Sequence, residues 1–183
     1  MKLSNSNRAT KVNYQYLYLL SLLSALTLSL YLFEVFLPRP VPFLRIGLSN
    51  IIVLSLVYSK LYKEGLIICF VKSIIGNFIL GLLFSVNFIL SLVGSLLAWF
   101  MMFLFHRVVG RFSLLGISII GAYAHLMGQL IMVKILFIKS GAVYSLYPLI
   151  VLLSIVFGII TGLLSIYFLK IINLRSYFAK ALS

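Results

Sequence analysis

Six apolar runs, at residues 14–37, roughly 41–59, 66–84, 88–105, 114–138 and 144–169, divide the chain, with short polar segments between them. An α-helix rising about 1.5 Å per residue needs about 20 such residues to cross the hydrocarbon core of a bilayer. Helices are required there, because an open strand edge finds no hydrogen-bond partner in lipid. The pattern predicts an all-α integral membrane protein, a bundle of about six transmembrane helices in one domain over residues 14–170. Residues 1–13 and 171–183 are then tails too short to be domains. The first run is too long for the apolar part of a signal peptide, about 7–15 residues, and no A-x-A-like cleavage site follows it. The second run is the weakest. Pro38, Pro40 and Pro42 crowd its start and Arg45 lies inside it, which leaves only 46–59 cleanly apolar. It is expected to be short, tilted or preceded by a re-entrant loop.

Composition supports the lipid setting. Hydrophobic residues make up 63% of the 183 positions and charged residues 9%, more apolar side chain than a soluble domain of this size hides from water. The formal charge of +13 does not point to nucleic acid, since the basic residues form no polar domain or aromatic-interleaved patch. They sit between the apolar runs, where they set orientation. One side carries Lys2, Arg8 and Lys11, then Lys60 and Lys63, Arg107 and Arg111, and finally Lys170, Arg175 and Lys180. The other carries only Arg39, Arg45 and Lys139. That bias places both chain ends on the cytoplasmic side.

Helices in lipid associate through small residues that let backbones approach. Ser21, Ala25 and Ser29 make such a stripe on the first run, Ser91, Ser95, Gly94 and Ala98 on the fourth, and Ser154, Gly158 and Gly162 on the sixth. Each stripe serves packing within the bundle or docks a partner membrane protein. The lone Cys69 has no partner for a disulfide or a metal site and reads as a small core or lipid-facing residue.

Polar residues inside apolar runs are costly and mark functional candidates. On the fifth run Ser118, Gly121, Ala122, His125 and Gln129 share one face, because steps of three and four return to the same side of a helix. His125 and Gln129 offer donors and acceptors either to a ligand or to a neighbouring helix. Lys134 points to the opposite face and reads as snorkelling towards the outer surface. Glu34, near the outer end of the first run, is expected either to bind a ligand cation or to pair with Arg39 or Arg45. Asn50 lies in the Gly47-Leu48-Ser49-Asn50 stretch that opens the second run. Lys72 lies inside the third, with Gly76 one turn away leaving room for a neighbouring backbone. Glu64 reads as a solvated loop residue and His106 as interfacial. Glu34, Asn50, His125 and Gln129 fall in the middle or outer half, which suits a pocket opening outward rather than a proton wire.

The chain has no Walker A sequence, no G-x-G-x-x-G, no H-E-x-x-H and no aspartate. Chemistry on Mg²⁺ and diphosphate needs clustered carboxylates, and two isolated glutamates cannot supply them. No cofactor, metal or catalytic residue is expected.

The order Glu34…Leu37-Pro38…Pro40, Gly47-Leu48-Ser49-Asn50, Lys72…Gly76, Gly94, then Ser118…Gly121-Ala122…His125…Gln129 resembles the Gx transporter family. That family is often labelled heptaprenyl diphosphate synthase component I. One departure is Leu126, where the family is expected to carry Asn. The resemblance implies a multi-pass protein of the bacterial cytoplasmic membrane, distantly similar to the substrate-capture (S) components of energy-coupling-factor vitamin transporters. Those are six-helix proteins with both ends inside and a site in the outer half, which here would hold a small-molecule ligand at Glu34, Asn50, His125, Gln129 and Lys72. It also implies that Ser21, Ala25 and Ser29 dock a transmembrane coupling subunit served by an ATPase module. The alternative reading is a non-catalytic accessory subunit, partnered by a prenyl synthase or by a quinone- or flavin-linked redox protein.

Overall fold

A chain this apolar has large side chains left over after its core is filled. In the computed structural model, which describes residues 2–37, 45–136 and 145–182, they lie on the outside: Phe78, Ile135, Leu152 and Leu163 are all more than half exposed. Such a surface needs hydrocarbon around it.

Among the described residues the chain is helical, with no strand. The elements are α1 (Lys2–Phe33), α2 (Asn50–Tyr58), α3 (Tyr62–Ile79), α4 (Val86–Leu104), α5 (Leu114–Leu136), α6 (Tyr147–Ile171) and α7 (Leu174–Leu182). Four stretches are long and apolar enough to cross a membrane: Tyr14–Phe36 of α1, Val86–Val109, Leu114–Leu136 and Tyr147–Ile171. The protein is therefore a multi-pass membrane protein. Among the described residues, four of the six apolar runs thus form helices of spanning length and apolarity. Of the second run, the described residues form the nine-residue α2, about 13 Å of helix and less than half of the ~30 Å hydrocarbon core. The 18 residues of α3 carry Lys63, Glu64 and Lys72, which lower its apolar character. Pro38, Arg39, Pro40, Pro42 and Lys139 lie outside the described residues.

Cross-helix contacts order the two ends of the bundle. At one end the Tyr16 hydroxyl donates to Glu64 (3.2 Å) and the Tyr62 hydroxyl meets His106 Nδ1 (3.0 Å). The same end holds the Tyr16 ring edge-on to Phe178, with centroids 5.7 Å apart. Towards the other end, Glu34 meets the chain before α2, and Tyr31 meets Asn77 of α3. Helices α1 to α6 thus alternate in direction, with α2 filling only the half nearest Tyr58. Glu64 is not a solvated loop residue: it lies in the first turn of α3, buried beneath Tyr16.

The expected C-terminal tail is a helix. Leu174, Phe178 and Ala181 of α7 recur at the four- and three-residue steps that make one apolar face. All three are buried, while Arg175, Tyr177 and Lys180 point outward. The residues expected as an N-terminal tail continue the backbone of α1.

Close packing follows the small residues. Helix α5 shares its largest interfaces with α4 and α6. A Cβ on Gly158 would stand 2.6 Å from the Ile119 backbone, and one on Gly128 3.2 Å from the Gly94 Cα. Ser91, Ser95, Ala98, Ser154 and Cys69 are buried in the same interior. The stripe on α1 differs, because Ser21, Ala25 and Ser29 all face outward. Gly158→Ala is therefore expected to force α5 and α6 apart and to destabilise the bundle by about 1–3 kcal/mol, the usual cost of overpacking. Ser21→Ala should leave stability unchanged. Thermal unfolding of the two detergent-purified variants, followed by tryptophan fluorescence at Trp99, checks both expectations.

Candidate functional site

The site is built around residues 45–49, which carry non-helical backbone into the interior of the bundle. Depth follows from helix rise. Lys72 lies ten residues beyond the start of α3, about 15 Å along it, and His125 eleven beyond the start of α5, about 16 Å. Both reach this segment, which therefore lies near mid-depth. Gly47 there takes φ +85°, a conformation natural to glycine alone. A Cβ on it would also stand 2.9 Å from Asn50 Nδ2 and 3.1 Å from His125 Cδ2. The ring of His125 has room only because residue 47 has no side chain.

Unwound backbone at this depth leaves N–H groups that the helix would otherwise satisfy. Two side chains supply the acceptors. The carboxylate of Glu34, buried in the short turn that ends α1, accepts from Gly47 N–H at Oε1 (2.6 Å) and from Leu48 N–H at Oε2 (3.1 Å). Gln129 Oε1 accepts from Arg45 N–H (2.7 Å). Ordinary backbone bonds then resume, Asn50 N–H to Gly47 O and Ile51 N–H to Leu48 O. Among the described residues the hydrogen bonds of Glu34 go to these backbone N–H groups. Arg39 lies outside the described residues.

Accepting from Arg45 orients the Gln129 amide, so its Nε2–H₂ faces His125 Nε2 at 2.7 Å. His125 Nε2 is then the acceptor, and the neutral imidazole carries its proton on Nδ1. Lys72 is 1% exposed and does not snorkel. Its ammonium donates to Ser49 Oγ (3.0 Å) and Asn50 Oδ1 (2.5 Å), which locks α3 to the start of α2. The space opened by Gly76 is filled by a ring rather than a backbone, since a Cβ there would stand 2.5 Å from Tyr31 Cδ1.

All five candidates, Glu34, Asn50, Lys72, His125 and Gln129, thus meet around residues 45–50. Arg45, Tyr31, Ser73 and Asn77 join them, though the sequence reading gave them no site role. Arg45 is 5% exposed, with its guanidinium 4.8 Å from the centroid of the Tyr31 ring. The Tyr31 hydroxyl accepts from Asn77 Nδ2 (2.8 Å), which also donates to Ser73 O (2.7 Å). Ser73 and Asn77 sit four apart in an apolar run, one and five residues past Lys72, so the cost of polar groups in lipid was a usable signal. Arg45 reads from the sequence as one of the few outer-side charges, which gives no sign of its burial in the cluster. Leu126, the departure from the family pattern, turns away and packs with Leu130 and Ile150. Lys134 is exposed, outside the cluster. A groove of about 660 Å³ lined by Leu97, Met101, Ile120, Met127 and Ile155 opens between α4, α5 and α6, and no residue of the polar cluster lines it.

Among the described residues no group of His, Cys, Asp and Glu could hold a metal ion. Donors and acceptors here hold backbone, orient a ring and bind polar groups; no nucleophile is paired with a base. Glu34→Gln turns one of two acceptor oxygens into a donor facing a backbone N–H. The substitution is expected to cost about 1–3 kcal/mol, the penalty of a buried unsatisfied donor, read as a lowered melting temperature of the purified protein.

No curated protein and no solved structure shows significant similarity to the chain. A family model described as heptaprenyl diphosphate synthase component I matches residues 23–168. That match spans the polar cluster, the unwound segment and every helix from α2 to α5, and on it the chain belongs to the heptaprenyl diphosphate synthase component I family.

Proposed function

We propose that the protein is the substrate-binding component of a membrane transporter, taking a small molecule from the side towards which Glu34 lies. The observation that carries this reading is the non-helical backbone of residues 45–49 ahead of α2. Non-helical backbone at membrane depth is tolerated where it is buried in protein or lines a cavity, and in transporters it builds the substrate site near the midplane. Here residues 45–49 bring Arg45, Ser49 and Asn50 against Lys72, His125 and Gln129. The excess of Lys and Arg on the α7 side sets that side in the cytoplasm, as in a bacterial cytoplasmic membrane. In an arrangement like that of S components, the outward-facing Ser21, Ala25 and Ser29 would receive a transmembrane coupling subunit with its ATPase module.

A second reading follows from the family description. On it the chain would be an accessory subunit of a heptaprenyl diphosphate synthase; a quinone- or flavin-linked redox system is the other partner this reading admits. With no aspartate and two separate glutamates, it would assist such chemistry without performing it.

Co-purification separates the two: an ATPase module and coupling subunit belong to transport, a prenyl synthase or redox protein to the accessory reading. Under the transport reading, mass spectrometry of the purified protein finds a retained small molecule. His125→Ala and Gln129→Ala are each expected to reduce its retention and its uptake by cells at least tenfold, about 1.4 kcal/mol of binding. Unchanged uptake in both variants, with nothing retained by the wild type, would sink the transport reading.

A further inference from the structure

We infer that Arg45 anchors a buried anion subsite, and that the ligand presents to it a carboxylate or phosphate group. This rests on reading the polar cluster as a ligand site. The backbone N–H of Arg45 is bound by Gln129, but Nε, Nη1 and Nη2 of its side chain, all buried, have no hydrogen-bond partner among the described residues. Buried polar groups are paired almost without exception, and a buried charge is compensated. An unpaired guanidinium in a membrane interior is therefore the residue in this molecule most in need of a partner.

Its surroundings state what that partner is. Two buried cationic side chains, Arg45 and Lys72, stand in the cluster against one buried carboxylate, Glu34, whose oxygens already serve Gly47 and Leu48. The formal balance is one positive charge in excess, which an anion neutralises. The planar fork of arginine matches two oxygens of a carboxylate or phosphate side by side. Tyr31 holds the guanidinium from one face and is itself fixed through Asn77. On α3, Ser73 Oγ is another buried polar atom without a hydrogen-bond partner among the described residues. Nothing about the fold requires Arg45 for packing alone, since an apolar side chain of similar length would cover Tyr31 at lower cost.

The test uses the full chain in phosphatidylcholine nanodiscs. Its melting temperature is measured in potassium chloride, inorganic phosphate, pyrophosphate and acetate at matched ionic strength. At least one oxyanion is expected to raise the wild-type melting temperature by about 2–4 °C over chloride, through linkage of binding to folding. Arg45→Met should abolish that shift and melt no lower than wild type in chloride. Arg45→Lys, which keeps the charge and loses the fork, should retain a smaller shift, and it serves as the comparison if Arg45→Met does not fold. Nanodiscs containing phosphatidylglycerol separate the sources. An Arg45-dependent rise there, with nothing added by free phosphate, assigns the anion to a lipid headgroup. The inference is overturned if neither the oxyanions nor phosphatidylglycerol shifts the wild type, if a folded Arg45→Met keeps the wild-type shift, or if Arg45→Lys shifts as much as wild type. Loss of uptake in His125→Ala without any anion shift leaves transport standing and this inference fallen. An Arg45-dependent shift with unchanged uptake leaves an anion site in an accessory subunit.

Discussion

The hydrogen bonds that Glu34 and Gln129 accept from the backbone of residues 45–48 are the constraint on which the rest of the interior depends. A chain that leaves helical geometry inside a membrane must satisfy each freed N–H, because no water is there to do so. One carboxylate takes two of these groups and one amide a third. With them held, α2 begins at Asn50 rather than at the membrane surface, and the nine residues that follow fill only part of the depth.

Neighbouring features follow from that arrangement. Gly47 is needed both for its positive φ and for the room it leaves beside His125. Gly94 has a similar role on α4, where a Cβ would stand 3.0 Å from His125 Nδ1. Gln129 links the broken segment to His125, so the orientation of the imidazole is tied to the same backbone amide that keeps residue 45 in place. Lys72 closes the other flank by gripping Ser49 and Asn50. Structure and site are thus one network: Glu34 and Gln129, ligand candidates by their sequence, also hold the frame. The Arg45 side chain, inside the second run, is left with binding capacity.

The two small-residue surfaces divide the labour of the exterior. On α5 and α6 close approach is used up within the bundle, as Gly158 against Ile119 shows. On α1 the stripe of Ser21, Ala25 and Ser29 faces outward.

Hydropathy alone determined that the chain is helical, multi-pass and lipid-embedded, because period and length follow from bilayer thickness and the need to satisfy backbone within each segment. The same cost argument singled out Glu34, Asn50, Lys72, His125 and Gln129, since a polar side chain in an apolar run is visible without coordinates. The prolines and Arg45 also flagged the second run as irregular. Only tertiary structure decided what each polar atom touches. Glu34 binds amides 13 and 14 residues away, and Gln129 binds one 84 residues away. Such pairings depend on how helices are arranged rather than on periodicity along any one of them. For the same reason the C-terminal segment read as a tail: the apolar face of α7 is short, and it gains meaning only once Tyr16 of α1 stands against Phe178.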